Sequence, residues 1–409
     1  MSLFDTARVA IRALLRNKTR SGLTTLGIVI GVASVIAMVA IGEGAKVKVA
    51  RAFDAMGTNM LIVMSGSAVG GGMRGGAGTM PTLTWDDLAA VKEQVHTVRY
   101  AAPVLQTGAT IQSEEQNWTT LVVGTTPDYF LIRNWDVEDG TLFGQPEVDS
   151  MAKVIVMGKT AVEKVFGSGV SPLGRTVRIR NSPFQVIGVL AKKGQSPMGQ
   201  DYDDTVVMPV TSFRSKIQGG LGQFIPGVIF VGATSAEDTS RAQRAIEELL
   251  RERHHIQPGV EDDFSVRNLT EIAAASQEGT KVITTLLAAV AAVSLLVGGI
   301  GIMNILLVSV TERTREIGLR MALGARGRDI LYQFLVEAAT LSSIGGLAGI
   351  ALGVFGAHFL ATRFDWPLLL RSDIIMIAVG FSALIGVIFG MYPALKASRL
   401  DPIEALRYE

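Results

Sequence analysis

Residues 311–330, TERTREIGLRMALGARGRDI, form a charged, helix-compatible island between two long apolar runs. The island is too short to be a domain and large enough to be a handle on which another protein can push. Working outward from it, four apolar stretches, near 23–41, 283–310, 334–360 and 374–395, reach or approach the length that crosses a bilayer, about 20 residues. The chain has 409 residues, 48% of them hydrophobic, and its mean hydropathy of +0.36 is high for a soluble protein. The first apolar run exceeds the roughly 7–15 residues of a secretory h-region and follows a long amphipathic tail, 1–22, so it reads as an uncleaved span. The predicted fold class is a membrane protein with four transmembrane α-helices and a large α+β domain inserted between helices 1 and 2.

Four spans place both termini on one side, and lysine and arginine choose the side. The tail 1–22 carries Arg8, Arg12, Arg16, Lys18 and Arg20 against Asp5. The 311–330 segment carries Arg313, Arg315, Arg320, Arg326 and Arg328 against Glu312, Glu316 and Asp329, and the C-terminal tail adds Lys396, Arg399 and Arg407. All three segments are therefore expected in the cytoplasm. The stretch 42–281 carries 23 basic and 27 acidic residues and is expected outside, with the short loop 361–372. The overall charge of +1 conceals this asymmetry.

The absence of cysteine excludes disulfides and cysteine metal sites. A domain of ~240 residues needs neither, because its own core suffices. TLTWDDLAAVKEQ (82–94) reads as a helix capped by Thr84, with Asp86 and Asp87 at its positive end. Strand-like runs follow at 98–111, 118–124, 153–158, 175–181, 184–191, 205–210 and 264–269, with helices at 159–166 and 236–253. The glycine-rich run 66–81 has too little apolar content to pack and reads as a flexible loop.

Helical residues continue past the membrane on both sides of this domain. GEGAKVKVARAFDAM (42–56) contains no proline and stops at Gly57, and LTEIAAASQEGTKVITT (269–285) has Thr270 as a cap. At ~1.5 Å per residue, 22–56 would reach ~50 Å and 270–310 ~60 Å, against a hydrocarbon core about 30 Å thick. The surplus is a stalk, with separate helices kinked at Gly42, Gly44 and Gly279 as the alternative. Glu337 is the clear ionisable residue within a span, expected to face the coupling island or the headgroups, so a polar path through the spans is not expected. Gly27 and Gly31, Gly345, Gly349 and Gly353, and Gly386 and Gly390 recur every fourth residue, a spacing that permits close helix packing.

Some motifs imitate chemistry. GVSPLGRT (169–176) nearly matches a nucleotide-binding loop, but Arg175 replaces the lysine and a strand is expected after it. His96, His254, His255 and His358 lack metal-ligand spacing, and the acidic groups Asp201/Asp203/Asp204 and Glu261/Asp262/Asp263 read as solvated turns. No nucleophile–base arrangement is present. No catalytic residue, bound cofactor, metal or nucleic-acid partner is expected of this chain.

Three stretches carry a family resemblance: NILLVSVTERTREIGLRMALGARGRDILYQFLVEA (304–338), RNKTRSGLTTLGIVIGVASVIAMVAIGEGAK (16–46) and YPALKASRLDPIEALRYE (392–409). Together they resemble the MacB/FtsX-type ABC transporter permeases. The resemblance implies a cytoplasmic amphipathic N-terminal helix at 1–22, span 1 and stalk at 23–56, and a periplasmic domain at 57–268. That domain would have a porter-like lobe from 57–112 and 211–270 and a sabre-like outer lobe at about 113–210. Stalk and span 2 would follow at 269–310, the coupling segment at 311–330, spans 3 and 4 at 331–395 and a cytoplasmic tail at 396–409.

By the same resemblance, a separate ABC ATPase, holding ATP and Mg, would dock on the coupling segment through Glu312, Arg313, Arg315, Glu316 and Arg320. A second permease copy would pair with this one, as a homodimer or alternatively a heterodimer. ATPase motion transmitted across the bacterial inner membrane would expel a periplasmic substrate, with a periplasmic adaptor and an outer-membrane channel. Lipoprotein release and FtsX-like signalling to a cell-wall hydrolase are the rival functions.

Overall fold

The computed structural model describes residues 18–57, 59–66, 69–70, 73–74, 81–196, 199–219, 222–364 and 372–407. The amphipathic tail up to residue 17, most of the glycine-rich run and the centre of the loop 361–372 lie outside the described residues. The chain divides into two units: a discontinuous one formed by Met1–Lys48 and Gln277–Glu409, and an inserted one, Val49–Ser276.

The inserted unit is α+β. Helix α1 (Lys18–Met56) leads into it and stops at Gly57, whose φ of +117° suits glycine. Its elements are then β1 (Met60–Ser65), β2 (Val69–Gly70), β3 (Met73–Arg74), α2 (Trp85–Gln94), β4 (Val98–Gln112), β5 (Asn117–Thr125), α3 (Asp128–Ile132), β6 (Val137–Gly140), α4 (Gln145–Asp149), β7 (Val154–Met157), α5 (Lys159–Phe166), β8 (Thr176–Ile179), β9 (Ser182–Leu190), β10 (Thr205–Pro209), α6 (Val210–Phe213), β11 (Val228–Ala233), α7 (Thr239–Arg253) and β12 (Phe264–Asn268). Among the described residues, strands β2 and β3 pair with each other as a separate two-stranded sheet.

The main sheet runs β12-β1-β11-β4-β5-β10-β7-β9-β6, with β8 bridging β4 and β9. Strand β4 exchanges partners midway. Its residues Val98–Val104 face β11 and Leu105–Gln112 face β5, both antiparallel. The β5/β10 and β7/β9 pairs are parallel, which the α+β connectivity allows because helices intervene. One core joins the sheet and helices, including Leu61, Val63, Val123, Val156, Phe184, Val207, Ile229 and Ile246. The end of α2 is fixed as its sequence suggests. Thr84 accepts from the Asp87 amide at 3.2 Å while Asp87 accepts from the Thr84 amide at 2.8 Å, a reciprocal capping box.

The discontinuous unit contains α1 up to Lys48 and, from Gln277 onward, α8 (Leu269–Glu312), with α9 (Thr314–Ala322), α10 (Gly327–Phe364), α11 (Ser372–Ser398) and α12 (Pro402–Arg407). Among the described residues, four helices, α1, α8, α10 and α11, are long and apolar enough to cross a membrane. Helices α1, with 39 residues, and α8, with 44, run unbroken through Gly42, Gly44 and Gly279, ~58 Å and ~66 Å of helix at ~1.5 Å per residue. Ile28, Val32 and Ile36 of α1 pack with Leu295, Ile302 and Leu306 of α8, Ala338 of α10 and Ile385 of α11. Leu286, Val293 and Val297 of α8 and Phe355 and Phe359 of α10 point outward, the inverse of a soluble bundle and the expectation for helices solvated by lipid.

Candidate functional site

Residues 311–330 comprise the end of one helix, a short separate helix and the start of the next. Helix α8 continues to Glu312, Arg313 leaves helical geometry at φ −107°, ψ 13°, and only Thr314–Ala322 forms the separate helix α9. Helix α10 already begins at Gly327. The Thr314 hydroxyl lies within donating distance of the Val310 and Thr311 carbonyls, at 3.0 and 2.9 Å, which satisfies acceptors that the end of α8 would otherwise leave open. Gly324, at φ +102°, makes the turn into α10, where Asp329 accepts from the Arg326 amide at 3.0 Å and complements the helix N-terminus.

Helix α9 is seated on one face. Ile317 is buried with Val310, Ile330, Phe334, Ala394 and Ala397. A Cβ added to Gly318 would stand 2.7 Å from the Ala405 Cβ of α12, so the glycine permits that close approach. The five charged residues assigned to partner contact fall into separate roles. Half-buried Arg313 pairs with buried Glu337 at 3.5 Å. Half-buried Arg320 pairs with Glu316 at 2.5 Å and donates to Gln333 Oε1 at 3.2 Å. These two arginines tie α9 to α10. Glu312 is exposed at the end of α8, and Arg315 and Glu316 are exposed on α9. The outward face also contains Leu319, 53% exposed, and Leu323, 82% exposed, and α12 exposes Ile403. Leu319 and the capping residue Leu323 stand four apart, a spacing visible in the sequence that puts them on one side of the helix.

The glycine seams lie inside the chain. A Cβ on Gly27 would stand 3.4 Å from Gly298 Cα, and one on Gly31 3.1 Å from the Leu295 side chain, so α1 uses this face against α8. Gly349 and Gly353 of α10 receive α1: their Cβ positions lie 2.8 Å from Val32 Cβ and 3.0 Å from Ile36 Cβ. Gly386 and Gly390 of α11 receive α10 at Ala338, and Gly345 is buried.

Several polar groups that the sequence singles out in the inserted unit bond to one another. GVSPLGRT ends in strand β8, and Arg175 pairs with Glu115 at 3.2 Å. The expectation of solvated acidic turns is corrected at two positions. Asp203 is 1% exposed and accepts from the Lys193 and Gly194 amides at 2.7 and 2.9 Å. Asp263 accepts from His254 Nδ1 at 2.7 Å, while His254 Nε2 reaches Asp87 at 3.1 Å and Arg253 Nε donates to Asp87 at 2.6 Å. The hydrogen bond to Asp87, the largest effect, raises His254 to about 8 against the opposing effect of burial, with Asp263 adding to it. Burial pushes Asp87 upward, but the hydrogen bonds from His254, Thr84 and Arg253 outweigh it and hold the carboxyl well below the usual range.

Residues 21–249 match the family described as the MacB-like periplasmic core domain, and residues 288–402 match the FtsX-like permease C-terminal family. The macrolide export ATP-binding/permease protein MacB of Syntrophobacter fumaroxidans is 41% identical over 451 residues, covering 98% of this chain and 63% of that protein. The protein of the same name from Azoarcus sp. is 43% identical over 410 residues, covering 100% of this chain and 60% of that one. This chain thus spans about three fifths of the length of these relatives. Among solved structures, the periplasmic region of MacB from Actinobacillus actinomycetemcomitans is 22% identical, with a TM-score of 0.44, covering 55% of this chain and 94% of that one.

Proposed function

This chain belongs to the MacB/FtsX family of ABC transporter permeases, and we propose from that membership that it is the mechanotransmitting permease subunit of an efflux assembly. It is a multi-pass membrane protein. In the proposed arrangement it sits in the bacterial inner membrane with both termini and α9 in the cytoplasm and the inserted unit in the periplasm, as the arginine distribution favours. A separate ABC ATPase subunit carries ATP and Mg and docks on α9. Two permease copies pair, and closure of the ATPase dimer moves α1 and α8 and, through them, the periplasmic unit. A periplasmic adaptor and an outer-membrane channel complete the export path.

The observation that carries this reading is the mounting of α9. Arg313–Glu337 and Arg320–Gln333 hold the short helix to α10 while Arg315, Leu319 and Leu323 remain exposed. A surface helix fixed this firmly passes on a push instead of absorbing it. In its native host, the affinity-tagged chain is expected to capture an ABC-type ATPase, identified by mass spectrometry. The double variant Arg315→Glu, Leu323→Ser should lose that capture while inserting in the membrane at the normal level. Capture of no ATPase by the unaltered chain, or equal capture by the variant, would overturn the proposal.

A further inference from the structure

The inserted unit contains a partly open cavity of about 270 Å³ whose lining is mostly apolar. Met56, the last residue of α1, contributes to one wall with Met60, Ile62 and Met64 of β1 and Phe230 of β11. Leu121 and Val123 of β5 also line it. Methionine is unbranched and polarizable and packs against apolar bodies of many shapes. An apolar concavity with a few placed polar groups is the general form of a small-molecule site.

The decisive polar group is Arg133, which follows α3 and lines the same cavity. It is 7% exposed. Its Nη1 donates to the Tyr129 hydroxyl at 2.7 Å, and its guanidinium lies 4.4 Å from the Tyr202 ring centre and 4.8 Å from that of Trp135. Its Nε is buried without a hydrogen-bond partner. Among the described residues no carboxylate forms an ion pair with it. Arginine cannot relieve that state by losing a proton, and a buried charge left unpaired is strongly unfavourable.

Neighbouring groups do not supply the missing anion. Asp201 also lines the cavity, but among the described residues it forms no ion pair with Arg133, and its oxygens accept from the Asp203 amide at 2.9 Å and the Thr160 hydroxyl at 2.8 Å. Lys193 Nζ adds a second basic group, donating to the Ala55 carbonyl at 2.9 Å and to the carbonyl of Arg133 itself. Burial first, and then the charge of Arg133, pull Lys193 down to about 7, partly countered by Asp136 and Asp203.

We propose that this cavity binds a small amphipathic anion, its acidic head on Arg133 and its apolar body along Met56, Met60 and Met64. A carboxylate would give the guanidinium an anionic partner beside the Tyr129 hydroxyl. A 150 Å³ cavity takes up benzene, so this one suits roughly ten heavy atoms, the size of an eight-carbon fatty acid. The site stands on the inserted unit alone and holds whether its occupant is exported or resident.

The test uses the full chain in lipid nanodiscs with ¹³C-methyl-labelled methionine, titrated separately with octanoate, octylamine and 1-octanol, with empty nanodiscs subtracted. Octanoate should saturably shift the methyl signals of Met60 and Met64, assigned by Met→Leu substitution. Octanol should bind at least tenfold more weakly and octylamine should not bind. Arg133→Gln should weaken octanoate at least tenfold and leave octanol unchanged. Ile62→Phe, which fills the cavity without touching the guanidinium, should abolish binding of both and keeps the test valid if Arg133→Gln misfolds. Unmoved lining methionines, equal binding of octanoate and octylamine, or undiminished binding by Ile62→Phe would overturn the assignment.

Discussion

Raising the pH should loosen the junction of α2, α7 and β12. His254 and Asp87 have side chains only 10% and 3% exposed, and Asp263 and Arg253 complete the charged groups around them. His254 stands at about 8 in the fold against 6.5 as its ordinary value. Its contribution is therefore fully present below pH 6.5 and is lost as the pH rises through 8. At ~1.4 kcal/mol per unit the difference is ~2 kcal/mol, a ~30-fold change in a local opening constant. Asp87 acts in the opposite sense: its contribution is present above about pH 4 and fades as the pH falls through its lowered value. Hydrogen exchange of Trp85–Gln94 and Phe264–Asn268, corrected for intrinsic rates, reads both sides of the junction. Between pH 5 and 9 the unaltered chain should lose ~30-fold protection there. His254→Gln should begin with the lower protection and show no slope. A flat profile in the unaltered chain, or the same slope in His254→Gln, would refute the charged bridge.

Gly349→Leu should overpack the bundle, since its Cβ would lie 2.8 Å from Val32 Cβ and 2.9 Å from the Val29 carbonyl; a loss of ~1–3 kcal/mol is expected in thermal unfolding. Gly356→Leu, with nothing within 4 Å of its Cβ position, should unfold like the unaltered chain. Ala50→Pro removes a hydrogen bond from the interior of α1 at a cost of ~3 kcal/mol, so amide exchange over Lys46–Asp54 should speed up ~100-fold, whereas Ala50→Ser should leave it nearly unchanged.

The spans, the positive segments and the helix cap at Thr84 were legible because each is a local pattern: length, charge or a capping residue before an acidic first turn. Strands β1 and β11 were not, although they lie inside the sheet. MLIVMS and VIFVGA are apolar on both faces and show no alternation, so periodicity cannot separate them from a helix fragment. The bridge from His254 to Asp87 joins residues 167 apart in the chain, and neither residue has a local signal of the other. Arg133 reads as a loop charge in LIRNW, and only the fold puts three aromatic rings around it. On α9 the charges were visible but their directions were not. The facing elements turn Arg313 and Arg320 inward, and those elements come from distant positions in the chain.

The discontinuity of the membrane unit imposes an order on biogenesis. The first span is made before Val49–Ser276, and its helical partners follow only from Gln277 onward. Synthesis of those ~230 intervening residues at ~5–20 residues per second takes ~10–45 s. For that interval the seam of Gly27 and Gly31 faces lipid or the insertion machinery, without Leu295 and Gly298 to close it. The nascent first span must therefore be retained by its own hydrophobicity and its flanking arginines, and the bundle can close only after the domain between its pieces has been delivered across the bilayer.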